Sequence, residues 1–365
     1  MGRYRSFRKG ASTVSDPVPP DGPPPAVVMS QLLGGFQLSQ ALYVVAKLDI
    51  CTLLEEKPLT VTELAERSGA RPEPLSRLIR TLASTGIFHT TGDLVHTTPL
   101  GATLSRTHPE TVAHIAEMWM ETHYLPFSEL LHTVRTGEPG ATRYFGKPAF
   151  AWVGEDPARA RQVARAMADL TGSLRRGMFD AYQLPAGDRV ADVGGADGSV
   201  LAELIAHRPD RQGILFDLPA MVPSGNAAMV TRRLDDRVAV VAGDFFTEVP
   251  EADVYVLSFI LHDWDDDAAG RILATIRRSA SDGARLLLVE GLVPPGDQPH
   301  LIKMVDLTML GMVPGRERTA EEYTTLLTDA GFVVDRIVTT PTPFSIVEAT
   351  AAADGQPPRQ VRPVG

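Results

Sequence analysis

From Asp188 onward, short apolar runs that end in glycine or an acid alternate with helical patterns, and this alternation constrains the fold more than any other feature. Arg189–Val193, Gly213–Phe216, Val238–Val241, Asp253–Ile260 and Ala284–Glu290 have the length and near-continuous apolarity of strands buried on both faces. Helical patterns lie between and after them, notably Ser199–His207, Asp266–Ser279 and Ala320–Ala330. Such a series predicts an α/β fold with a doubly wound, Rossmann-like sheet. Two further strands, Phe332–Val338 and Phe344–Glu348, are separated only by Thr339–Pro343. That is too short for a helical crossover, so they should form a hairpin and give a seven-stranded sheet one antiparallel edge strand.

The residues before this domain have another rhythm. An apolar stripe through Leu32, Leu33, Phe36, Leu42, Val45 and Leu48 predicts a helix over Gln31–Leu48. Thr60 or Thr62 opens a second helix, and Pro72 and Pro74 stand at the start of a third, whose apolar face is Leu75, Leu78, Ile79 and Leu82. Gly86 ends it, and a hairpin about Thr91-Gly92-Asp93 follows. Helix, turn, helix and hairpin make a mostly helical winged-helix domain over residues 28–108. Residues 109–182 read as a helical connector rich in aromatics and methionines, suited to core and to an apolar pocket. The catalytic domain spans 183–352. Four basic residues and then a proline cluster (Pro17 to Pro25) make 1–27 a disordered leader, and 353–365 a matching tail.

The glycine-rich loop lies in Asp192-Val193-Gly194-Gly195-Ala196-Asp197-Gly198, between the first strand and its helix. Small residues let the backbone approach a nucleoside-type cofactor at the carboxyl edge of the sheet. The spacing is not that of the dinucleotide fingerprint. Asp217, at the end of strand two, is placed to accept from ribose hydroxyls. Asp244 and Phe245, after strand three, suit the amine and face of an adenine. Strand four leads into His262-Asp263-Trp264, while Glu290 ends strand five and Glu317 sits in Gly315-Arg-Glu-Arg-Thr. An imidazole flanked by carboxylates is the arrangement of a general base. One histidine without a nearby cysteine makes a poor transition-metal site, and no metal is expected.

In these motifs the chain resembles the S-adenosylmethionine-dependent O-methyltransferases of the plant caffeic-acid type and their bacterial natural-product, aromatic-polyketide branch. The resemblance runs from about residue 28 to 350. It implies a class I methyltransferase domain, an N-terminal dimerisation domain and a homodimer. It also implies S-adenosyl-L-methionine as cofactor and a small aromatic hydroxylated substrate. Carried over residue by residue, the cofactor loop falls on Gly194, Gly195 and Gly198, the ribose acid on Asp217 and the adenine contacts on Asp244 and Phe245. Trp264 falls near the adenine. The catalytic histidine falls on His262 and its orienting acids on Glu290 and Glu317. Met167 matches a substrate-contacting methionine, and Val163, Met309 and Met312 complete the expected pocket. This chain has Ser258 where plant members carry a cofactor-contacting lysine, Val163 in place of a phenylalanine, and Ala196 in place of a loop glycine. The Val163 exchange suits a bulkier ring than a phenylpropanoid.

Two other functions stay open on sequence: a non-methylating tailoring enzyme, hydroxylase or decarboxylase, on the same fold, and a winged-helix regulator. Against the regulator, residues 61–100 hold four arginines (67, 71, 77, 80) and four acids (63, 66, 73, 93), with no basic excess for DNA. A formal charge of −10 also argues against nucleic acid or an anionic membrane as partner. No apolar run approaches the roughly 20 residues of a membrane span. The single cysteine, Cys51, can close no intrachain disulfide, which fits a cytoplasmic protein.

Overall fold

The computed structural model describes residues 22–206 and 208–353. His207 and most of the expected leader and tail (1–21 and 354–365) lie outside the described residues.

The small N-terminal sheet has strands β1 (Leu59–Thr60), β2 (Phe88–Thr91) and β3 (Leu94–Thr97) in the order β1-β3-β2. Thr91 pairs with Leu94 across a two-residue Gly92-Asp93 turn, the expected hairpin. Thr60 is the cap of helix Val61–Ser68. Its side chain accepts from the Glu63 amide while Glu63 reaches back to the Thr60 amide, a reciprocal capping box. The helix expected over Gln31–Leu48 is instead two helices, Pro25–Leu33 and Gly35–Lys47, broken at Gly34. Two adjacent glycines weaken that turn more than the apolar stripe can offset. The first helix also begins within the stretch expected to be leader. Its residues Leu32 and Leu33, with Phe36 beyond the break, are exposed at 69%, 72% and 53%.

The larger sheet has β4 (Arg189–Val193), β5 (Gln212–Asp217), β6 (Val238–Ala242), β7 (Val254–Ser258), β8 (Arg285–Gly291), β9 (Phe332–Thr339) and β10 (Phe344–Ala351). Its order is β6-β5-β4-β7-β8-β10-β9. The first five strands are parallel, and the last two form the hairpin that supplies the antiparallel edge. The reversed strand β10 lies between β8 and β9, so β9 is outermost. Successive side chains of the strands enter opposite layers. Tyr255 and Leu257 pack beneath helices Asp266–Ser279 and Ala320–Asp329, whereas Val254 and Val256 face Leu201 and Ile205 of helix Ser199–Ile205. Both faces are therefore largely apolar. The order reverses between β4 and β7, where open α/β sheets bind ligands.

Candidate active site

The fourth parallel strand stops at Ser258, two residues before the sequence suggested. Phe259 has φ +53°, in the left-handed region that costs a bulky residue about 1–2 kcal/mol, and the chain then enters a short 3-10 turn, Leu261–Asp263. Three elements hold the turn. Glu290 Oε1 accepts from the Ile260 and Leu261 amides at 3.2 and 3.0 Å. The fully buried Arg318 donates to the carbonyls of Leu261 and Trp264, both at 2.8 Å, and to Asp266. Gly315 lies against the His262 and Asp263 backbone so closely that a methyl group there would overlap it.

His262 rides on this turn with its side chain 12% exposed. Its Nδ1 is 2.7 Å from Glu317 Oε1, while Nε2 has Asp263 Oδ1 at 3.7 Å. Glu317 is in turn fixed by its amide, which donates to Asp306 at 2.9 Å. The two expected orienting acids thus divide the work. Glu317 holds the ring, and Glu290 holds the backbone that carries it. Burial pushes the imidazole down, but Asp263, the Glu317 hydrogen bond and the Glu290 charge outweigh it and raise it to about 10. Burial raises Glu290 to about 7 against the attraction of His262, with the Glu317 charge adding to the rise. One ligand-type atom from each of His262, Glu290 and Glu317 lies within 4.8 Å of the others. At 2.7 Å the Nδ1–Oε1 contact is a short hydrogen bond.

The loop after β4 lies at the same edge. Gly194 has φ +75°, and a Cβ there would meet Ile260 at 2.6 Å, so bare backbone is required where the loop passes the His262 turn. Gly195 and Gly198 continue the loop into helix Ser199–Ile205. Asp217 ties it to β5, accepting from the Ala196 amide at 2.8 Å, and remains partly exposed. Asp244 is exposed and accepts from the Phe246 amide at 2.9 Å. Beside it Phe245, Phe246 and Trp264 meet edge to face, Phe245 and Trp264 at 6.1 Å and Phe246 and Trp264 at 4.8 Å. Ser258 accepts from Arg175, which caps the long connector helix Pro157–Leu174. A part-exposed acid at the end of β5, an acid beside aromatic rings and a glycine-lined loop at the switch point together fit an adenosine-bearing cofactor.

A family model for an O-methyltransferase domain matches residues 127–333, and one for an O-methyltransferase dimerisation domain matches residues 30–107. The chain belongs to the O-methyltransferase family. The methyltransferase is 36% identical over 328 residues to phenazine O-methyltransferase PhzM of Lysobacter antibioticus, covering 89% of this chain and 96% of that one. Its fold matches the crystal structure of NcsB1, an O-methyltransferase from neocarzinostatin biosynthesis in complex with S-adenosylmethionine and 2-hydroxy-5-methyl naphthoic acid. The TM-score is 0.74 at 30% identity, over 86% of this chain and 95% of that one. It is also 32% identical over 348 residues to aclacinomycin 10-hydroxylase RdmB of Streptomyces purpurascens, covering 91% of this chain and 92% of that one.

In this methyltransferase the expected pocket residues fall into separate groups. Met309 and Met312, on helix Leu301–Met312, pack against Phe127, Phe145 and Ala149 of the connector. Val163 packs with Ile115, Met118 and Ala166 inside the connector, and Met167 is 41% exposed. Arg318, Asp306, Phe259 and Arg175 escaped sequence reasoning. Arg318 stands in a motif that carried a signal. The other three are given their places by tertiary packing alone.

Proposed function

We propose that this O-methyltransferase moves a methyl group from S-adenosylmethionine to a hydroxyl of a small aromatic, polyketide-like or phenolic natural product, with His262 as general base. The observation that carries the reading is the Glu317–His262 hydrogen bond at the switch edge, which leaves Nε2 for the acceptor hydroxyl. The cofactor supplies an already activated methyl group on a sulfonium. Gly194, Gly195 and Gly198 would admit it, Asp217 would hold its ribose, and Asp244, Phe245 and Trp264 its adenine. A phenol with pKa near ~10 is badly matched to an ordinary histidine near ~6.5. With His262 raised to about 10 the proton is shared on nearly equal terms, which favours its transfer as the methyl arrives.

We assign residues 28–108 to dimerisation of two copies, 109–182 to the connector that contributes Val163 and Met167 to the acceptor pocket, and 183–352 to catalysis, with Met309 and Met312 on the pocket's other wall. Leu32, Leu33 and Phe36 would be covered by the partner copy. No described helix is long and apolar enough to cross a membrane. A single cysteine suits the cytoplasm we propose as its setting.

Mass spectrometry with S-adenosylmethionine and a panel of phenolic and quinonoid acceptors tests the reading, and a gain of one methyl on oxygen is the expected product. His262→Gln should lose about 10² to 10⁴ in rate and still bind the cofactor. Undiminished turnover in that variant would remove His262 from the chemistry. A hydroxylated or decarboxylated product without a new methyl would replace the reading with the tailoring alternative.

A further inference from the structure

Arg175 is 3% exposed, yet it lacks the partner that a buried guanidinium ordinarily has. One terminal nitrogen donates to Ser258 Oγ at 2.9 Å, and its Nε has no hydrogen-bond partner. Among the described residues no carboxylate forms an ion pair with it. The nearest opposing charges, Glu203, Asp192 and Asp197, act on it from a distance, and burial pulls its pKa down despite them. A desolvated cation left without a paired anion costs several kcal/mol. Such a cost persists where a ligand removes it.

The register says where that ligand lies. The β4–β7 ladder ends at Asp192 and Val256, and Gly194 and Ser258 each follow that end by two residues, at the switch point between the two strands. Arg175 is hydrogen-bonded to Ser258 and lies 5.6 Å from the centroid of the Phe259 ring, which in turn is 5.6 Å from the His262 ring. The guanidinium therefore stands on the β7 side of the switch point, across β4 from Asp217 and Asp244.

We infer that Arg175, oriented by Ser258, binds the α-carboxylate of the cofactor's amino-acid portion. The inference rests on the proposed use of S-adenosylmethionine, whose α-carboxylate is its one anionic group. Adenosine carries no anion and gains nothing from this cation, so Arg175 makes the site selective for the amino-acid tail.

Equilibrium binding by calorimetry, without acceptor or turnover, tests it with two probes: S-adenosylmethionine and its decarboxylated form, which keeps the sulfonium and ammonium and lacks only the carboxylate. The wild type should prefer the carboxylated probe by 30-fold or more, on the order of the preference a charge-assisted pair gives. In Arg175→Met the preference should fall below about threefold, because affinity for the carboxylated probe drops and that for the other holds. Arg175→Lys, which keeps the charge and loses the two-pronged geometry, should fall between. Equal affinity of the wild type for the two probes would overturn the inference without any variant, as would a folded Arg175→Met that keeps the full preference. Failure of the wild type to bind either probe would instead sink the reading of the cofactor.

Discussion

His262 has a proton affinity set by three acids, and its pH behaviour follows from their separate placements. With the imidazole raised to about 10, kcat/KM should climb with pH through the neutral range, as the base loses its resting proton. Glu317→Gln removes an anion from the ring, so the climb should move to lower pH while the highest rate falls. A profile that only scales down, without moving, would mean that Glu317 acts sterically. The same raised pKa makes a stability statement. The folded imidazole holds its proton more tightly than the unfolded one, so its contribution is full below about pH 6.5 and drains away as pH rises towards 10. Glu290, raised to about 7 by burial, works in the same direction at lower pH. Urea denaturation at pH 6 and pH 9 should therefore show the gap between wild type and His262→Gln narrowing at the higher pH. His262, Glu290 and Glu317 were legible in the sequence because each ends an apolar run or sits in a distinctive motif. Arg175 was not, since its meaning depends on Ser258, 83 residues away.

At the scale of elements, the turn that carries His262 is a suspended structure. Arg318 fastens two of its carbonyls, Glu290 two of its amides, and Gly315 gives it room. Arg318→Ala would leave the Trp264 carbonyl without its side-chain donor, the Leu261 carbonyl with only the Trp264 amide at 3.3 Å, and Asp266 with one cation fewer, a loss of roughly 3–5 kcal/mol. The expected reading is a large fall in Tm, with kcat falling more than cofactor affinity because the glycine loop is untouched. A Tm within a degree of wild type would show that Arg318 does not hold the turn. Strand positions in the sheet were readable from apolar runs of fitting length. The early end of β7 was not, because the periodicity through Phe259 and Ile260 stays strand-like and the groups that hold the turn, Glu290, Gly315 and Arg318, lie 30 residues or more further on. The break at Gly34 was written in the sequence, but the stripe of leucines on either side masked it.

At the scale of the whole molecule, the N-terminal helices leave an apolar face that this chain alone does not cover. Leu32→Asp combined with Phe36→Asp should convert a dimer to a monomer in sedimentation velocity, with the winged-helix core intact because neither side chain belongs to it. An unchanged sedimentation coefficient would place the interface elsewhere. The order of strands carries a further consequence. Strand β10 follows every other described strand in the chain, yet it is wedged between β8 and β9 and pairs residue by residue with the strand that bears Glu290. During translation the ribosome must therefore release residues through Ala351 before β8 acquires its second neighbour. At about 5–20 residues per second, the winged-helix segment has many seconds to find a sister chain first. In the proposed dimer, pairing of two copies can therefore come before the edge that holds His262 and Glu290 is complete.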